Sequence, residues 1–192
     1  MTESDALLIR RSVAEPELFS VVFERHHRAI FRFVTRRLGG DDAGAVASEV
    51  FLHAFAAREQ YVAAHATALP WLYGIANRLV ANHRRRELRH LEREAAARSR
   101  EGDLVAIDPS EDIAGSVDSQ LAWPRLAGAL AELPDDQRDT FLLLAWGDLT
   151  YTQIGVALDV PVGTVRSRIS RARDHLRSAL LPQDREGSGS HG

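Results

Sequence analysis

Residues 150–180 read TYTQIGVALDVPVGTVRSRISRARDHLRSAL. Thr150 and Gln153 have the spacing of a capping box, in which the threonine accepts from a backbone N–H and the glutamine reaches back. Ile154, Ala157 and Leu158 then share one face of a short helix. Asp159 follows, a residue type that tolerates a left-handed turn. Val160-Pro161 ends this helix, because the residue before a proline is biased away from the helical region, and Pro161 suits the start of another. In the second helix Val165, Ile169, Ala172 and Leu176 recur at i, i+4, i+7 and i+11 and form a buried stripe. Two helices joined by so short a turn make a helix-turn-helix.

The arginines lie off that stripe. Arg166, Arg173 and Arg177 share one flank with Ser170, and Arg168 and Arg171 share another. Gly163, Thr164 and Ser167 leave the N-terminal end of the helix uncrowded. Short side chains where base edges come close, flanked by cations that reach phosphate, are what a DNA-recognition helix needs.

The chain has 192 residues and a formal net charge of −3, and that charge is segregated. Residues 21–90 carry a surplus of five arginines, residues 91–120 a surplus of five acids, and 161–180 a surplus of four arginines. Every basic residue apart from histidine is arginine; lysine is absent. That excludes a Schiff-base lysine and a phosphate-loop lysine. With no cysteine there are no disulfides and no thiolate metal sites. No HExxH spacing, nucleophile elbow or Rossmann fingerprint occurs, so no metal, cofactor or catalytic site is expected. No apolar run is long enough to span a membrane, and the acidic N-terminus lacks a signal-peptide core, so a cytoplasmic protein is expected.

Helical periodicity recurs upstream. Phe19, Val22, Phe23, Ile30, Phe33 and Val34 define a helix from Leu18 to about Arg37, and Gly39-Gly40-Asp41-Asp42 breaks it. A second helix from about Asp42 to Glu59 carries Val46, Val50, Phe51, Ala54 and Phe55 on one face. A third starts near Pro70 and runs through Trp71, Leu72, Ile75 and Leu79 into His83-Arg84-Arg85-Arg86. Four more are expected at 121–132, 135–146, 151–158 and 162–180. The class is all-α, with two small helical domains at 16–92 and 121–181. A flexible acidic linker at 93–120 joins them; its first part, to about Ser99, can continue the preceding helix. A disordered polar tail occupies 182–192.

The 150–180 stretch resembles region 4 of the sigma-70 family, closest to the extracytoplasmic-function (ECF) group, whose pattern is similar to LSYEEIAEILGVPVGTVKSRLHRARRRL. ALAELPDDQRDTFLLLAWGD (129–148) resembles the first helices of that region. Residues 18–55 together with LPWLYGIANRLVANHRRR (69–86) resemble region 2. The resemblance implies a non-enzymatic factor that binds core RNA polymerase and promoter DNA, with room for an anti-sigma partner. Region 2 would meet the polymerase through Asp42, Glu49, Phe51 and Leu52. The acidic pair usual just before this stretch is Gly44-Ala45 here. The −10 element would fall to the loop Tyr61–Leu69 and to Trp71, Asn77, Arg78, Arg84, Arg85 and Arg86. An asparagine common near the middle of this helix is matched by Arg78, with Asn77 beside it. The −35 element would fall to Thr164, Arg166, Ser167, Arg168 and Arg171. Two other readings stand beside this one: a sigma-like interaction protein that does not melt promoters, and a free-standing helix-turn-helix regulator.

Overall fold

Gly39 adopts φ 82° and ψ −171°, a conformation that side chains with a Cβ rarely take, and it parts the first two long helices. α2 (Phe19–Leu38) ends on it and α3 (Gly40–Ala56) starts from it, with Asp41 and Asp42 in the first turn where the helix dipole favours acids. The computed structural model describes residues 3–101 and 119–180. Among them there is no strand. α1 (Asp5–Arg11) and a 3₁₀ turn at Pro16–Leu18 precede α2, and a second 3₁₀ turn, Arg58–Gln60, follows α3. α4 (Leu69–Glu101) completes the first block. The second block is α5 (Ser119–Glu132), α6 (Asp135–Gly147), α7 (Tyr151–Leu158) and α8 (Val162–Leu180).

Three differences from the sequence reading have physical causes. α1 is too short for a periodic signal, yet Ser4 caps it by accepting from Leu7 N–H, and Leu8 and Ile9 are buried. The first block therefore reaches back to α1 rather than opening at residue 16. α4 continues to Glu101, so the first part of the expected linker is helix. The rest of that linker, 102–118, and the tail, 182–192, lie outside the described residues. Phe23, counted in the apolar period of α2, is 43% exposed; the stripe that goes inside includes Phe19, Val22, His26, Ile30, Phe33 and Val34.

The helix-turn-helix forms as its sequence dictates. Thr150 Oγ1 accepts from Gln153 N–H at 3.3 Å and Gln153 Oε1 accepts from Thr150 N–H at 2.8 Å. Asp159 takes the left-handed conformation, φ 54° and ψ 49°. The turn is tight enough that a Cβ on Gly155 would stand 2.9 Å from the Val160 carbonyl oxygen. Gly155→Val should therefore cost about 1–3 kcal/mol through overpacking. A lower urea midpoint at unchanged m-value would register it. Val165, Ile169, Ala172 and Leu176 are all buried.

The two blocks pack against each other. Leu143, Leu149, Ile154, Val165 and Ile169 join one core with Phe33, Leu72, Tyr73 and Val80 of the first block. α7 lies so close on α4 that a Cβ at Gly74 would fall 2.5 Å from the Ala157 carbonyl oxygen. A smaller cluster, Ala129, Leu133, Ala172 and Leu176, fastens α5 to α8.

Candidate nucleic-acid interface

On α8 the buried stripe fixes which side chains face out. Arg166, Ser167 and Arg171 are exposed, and Thr164 is half-buried. The Ser167 hydroxyl donates to the Thr164 carbonyl at 2.9 Å. Arg168 is drawn to Asp136 on α6 at 3.0 Å, while Arg177 pairs loosely with Asp174 on its own helix. The five residues expected to face DNA thus lie off the buried stripe in the N-terminal half of α8, with Arg166 exposed on one flank, Thr164 and Arg171 on the other, and Arg168 on that second flank held by Asp136.

On α4 the expected residues divide between two faces. Trp71 and Arg78 line a pocket of about 260 Å³ together with His53, Ala57, Ile75, Leu79 and Asn82. The Trp71 ring lies 4.8 Å from that of Tyr61, at the start of the loop leading into α4. An aromatic face beside cationic and amide groups is the arrangement that an unstacked base requires. Asn77 is turned away from this pocket: it is buried, accepts from Arg37 Nη1 at 3.0 Å and donates to Asp139 Oδ2 at 2.9 Å. Arg84 is half-buried and donates to the Arg37 carbonyl at the end of α2. Burial lowers its pKa, and nearby Arg138 adds to that effect. Arg85 and Arg86 are exposed, Arg85 reaching Asn82 Oδ1 at 3.4 Å. The basic run therefore offers two solvent cations and one that closes a helix end.

α3 carries the remaining expected set. Leu52 is 69% exposed and Glu49 half-buried beside His53. Asp42 is exposed and contacts His83 at 3.2 Å. Phe51 is buried and packs edge-on against Phe23 at 4.8 Å, so its ring serves the core. Sequence periodicity counted Phe23 in the apolar repeat of α2 and passed over Phe31; both rings are exposed, and with His27, Gly44 and Ala47 they line an apolar hollow between α2 and α3. The signal was present: Phe23, His27 and Phe31 recur every four residues, one step off the buried stripe.

Between the blocks, Arg37 is the central polar group. Its side chain is 1% exposed and donates to Asp139 Oδ1 at 2.6 Å as well as to Asn77. Burial lowers its pKa and the Asp139 charge opposes the shift. Arg36 lies over the Trp146 ring at 5.8 Å. Among the described residues Asp42, His83 and Glu87 bring possible ligand atoms within 4.8 Å of one another, but they already pair among themselves at the surface. No described helix is long and apolar enough to cross a membrane.

The family model for sigma-70 region 2 matches residues 22–90, and that for sigma-70 region 4 matches 125–176. The ECF RNA polymerase sigma factor SigC of Mycobacterium tuberculosis is 31% identical over 160 residues, 82% of this chain and 80% of that protein. The ECF RNA polymerase sigma-E factor of Escherichia coli K12 is 29% identical over 186 residues, 93% of this chain and 95% of that one. Among solved structures, CnrH in complex with the cytosolic domain of CnrY aligns over 95% of this chain and 99% of its own at TM-score 0.62 and 21% identity, a likeness of fold. The sigma factor RpoE in complex with the anti-sigma factor NepR from Bartonella quintana aligns over 90% of this chain and 99% of its own at TM-score 0.51 and 24% identity.

Proposed function

The chain belongs to the sigma-70 family, in its extracytoplasmic-function group, and from that premise we propose how its two blocks divide promoter-specific initiation between them. The observation that carries the reading is that both regions occur in one chain, in the family's order, each on its own helical block. A free-standing helix-turn-helix regulator has no use for the first block. The factor binds core RNA polymerase and promoter DNA in the cytoplasm and acts as an initiation factor, the chemistry of RNA synthesis belonging to the polymerase. An anti-sigma factor is a further partner, an expectation extended from the RpoE complex.

In this reading α3 meets the polymerase through Asp42, Glu49 and Leu52, with Phe51 holding the surface from beneath. The pocket between α3 and α4 takes a base of the −10 element, stacked on Trp71 and lined by Arg78. Arg85 and Arg86 follow the strand's phosphates. Thr164, Arg166, Ser167, Arg168 and Arg171 enter the −35 element. These elements lie about 25 base pairs apart, roughly 85 Å of duplex at 3.4 Å per base pair. A compact globule of this length has a radius of gyration of about 16 Å. The packed arrangement cannot reach both elements, so the blocks part at the α4–α7 contact when the factor engages a promoter.

Gly44 and Ala45 are exposed, and nothing lies within 4 Å of a Cβ at Gly44. Restoring the family's acidic pair with Gly44→Glu and Ala45→Asp should tighten core binding several-fold in a competition assay. The Glu at a helical glycine should also raise stability by about 0.5–1 kcal/mol.

The test of the whole reading is in vitro transcription on genomic fragments with bacterial core polymerase, with and without the protein. Discrete start sites that need the protein are expected. Core binding without start sites would leave an interaction protein, and DNA binding without core association would leave a simple regulator.

A further inference from the structure

α1 lies outside the stretch matched to region 2, which begins at residue 22. Its polar contacts nevertheless converge on the loop between α3 and α4. At its N-terminal end Asp5, only 5% exposed, accepts four hydrogen bonds. Arg25 Nη1 donates to Oδ1 at 2.8 Å. His26 Nε2 stands 2.6 Å from Oδ2, the Ala68 N–H donates to it at 2.9 Å and the Thr67 hydroxyl at 3.2 Å. Two partners belong to α2, and two belong to the last residues of the loop. At the other end of α1, the Ser12 carbonyl accepts from Arg58 Nε at 3.2 Å, just where the loop leaves α3. Arg58 is itself fixed, donating to the Phe55 carbonyl at 2.6 Å and stacking on the Phe55 ring at 3.9 Å. Between these ends Ala6, Ile9, Arg10 and Val13 face Tyr61 and Ala63 across a small hollow. In between, Val62, Ala63, Ala64 and Ala66 are exposed, Val62 at 81%, while His65 is half-buried.

We propose that α1 braces the promoter-reading loop, residues 61–68, and that Asp5 is the positioning residue that sets where this loop enters α4. The inference rests on the assignment of that loop and the Trp71 pocket to the −10 element. Binding loops work when a rigid scaffold holds their ends. Here both ends are tied to one helix, and that helix is anchored to α2. The loop's tip stays free to meet DNA while its roots cannot drift from the Trp71–Tyr61 pair. Asp5 touches no base; it acts through Thr67 and Ala68.

All four groups around Asp5 are donors, so Asp5→Asn must aim an amide N–H at one of them and leave that donor unpaired. Arg58→Gln releases the other root of the loop and leaves the Asp5 cluster whole. Hydrogen exchange of the free, full-length variants should quicken about tenfold or more at amides 58–69 and stay unchanged in the middle of α2 and α3. In holoenzyme at a temperature where circular dichroism shows the variants folded, core affinity should hold within about twofold. Opening of a promoter recovered by the transcription assay, read from 2-aminopurine within its −10 element, should fall about five- to fiftyfold. Thr67→Val, which removes one of the four bonds, should shift both readouts less and in the same direction. Unchanged exchange in the loop overturns the brace. A looser loop with unaltered opening, or opening lost in step with core affinity and melting temperature, overturns the positioning role. If the wild-type protein opens no promoter while exchange responds as expected, the brace is real and the functional reading fails.

Discussion

Asp139→Ala is expected to part the two blocks. Among the described residues Asp139 is the sole carboxylate on the Arg37 guanidinium, and that guanidinium is buried between α2, α4 and α6. If the interface stayed closed, the variant would bury an unpaired charge, at a cost of about 3–5 kcal/mol. Asn77 would lose the acceptor of its amide in the same step. Opening relieves both penalties by hydrating Arg37 and Asn77. Thermal unfolding that is a single transition in the parent should divide into two, and the radius of gyration from small-angle scattering should rise by several ångströms. The variant should also load onto promoters faster, since it starts from the separated arrangement. Replacing all three members, Arg37→Met and Asp139→Leu with Asn77→Leu, should keep the blocks together, because well-packed apolar groups can stand in for a buried polar network once no member is left unpaired. A single transition and unchanged scattering for Asp139→Ala would show that the apolar contacts around Ile154 and Leu143 suffice.

Arg166→Ala should give the largest loss at the −35 element. Arg166 is exposed on α8 and has no hydrogen-bond or ion-pair partner among the described residues, whereas Arg168 must first leave Asp136. If Arg166 reads a guanine, its loss should cost about 1–3 kcal/mol, five- to 150-fold in affinity, and only on templates that keep that base pair. If it holds a phosphate, affinity should fall evenly across sequences and the slope of log affinity against log salt should flatten by about 0.9. Arg168→Ala should cost less than Arg166→Ala, and Asp136→Asn should narrow that difference by releasing Arg168. Equal losses at both positions, with or without Asp136, would remove the ion pair from the account.

Much of this protein is legible along the chain because its signals are local. The capping box at Thr150, the left-handed Asp159, the Pro161 start and the four-residue stripe through Leu176 each depend on neighbours within a turn or two, and each forms as read. The same holds for the break at Gly39 and for the helices of both blocks, to within a few residues at most ends. Candidate contacts on α8 followed because a stripe that is buried defines the side that is not.

What tertiary structure alone decided is where polar side chains go when two elements could claim them. Asn77 and Arg78 are adjacent in sequence, and helical geometry sends them to different faces; only the presence of Asp139 on another block makes one a buried link and leaves the other at the pocket. Asp5 reads as an ordinary first-turn acid, yet its carboxylate ties together groups from residues 25 to 68. Phe23 and Phe51 look alike in a periodic pattern, and packing exposes one and buries the other. Sequence by itself determined the seven helices after α1, their two-block grouping and the family. The pairing of buried charges across distant segments was set by the fold, because such pairs form through space and leave no period in the chain.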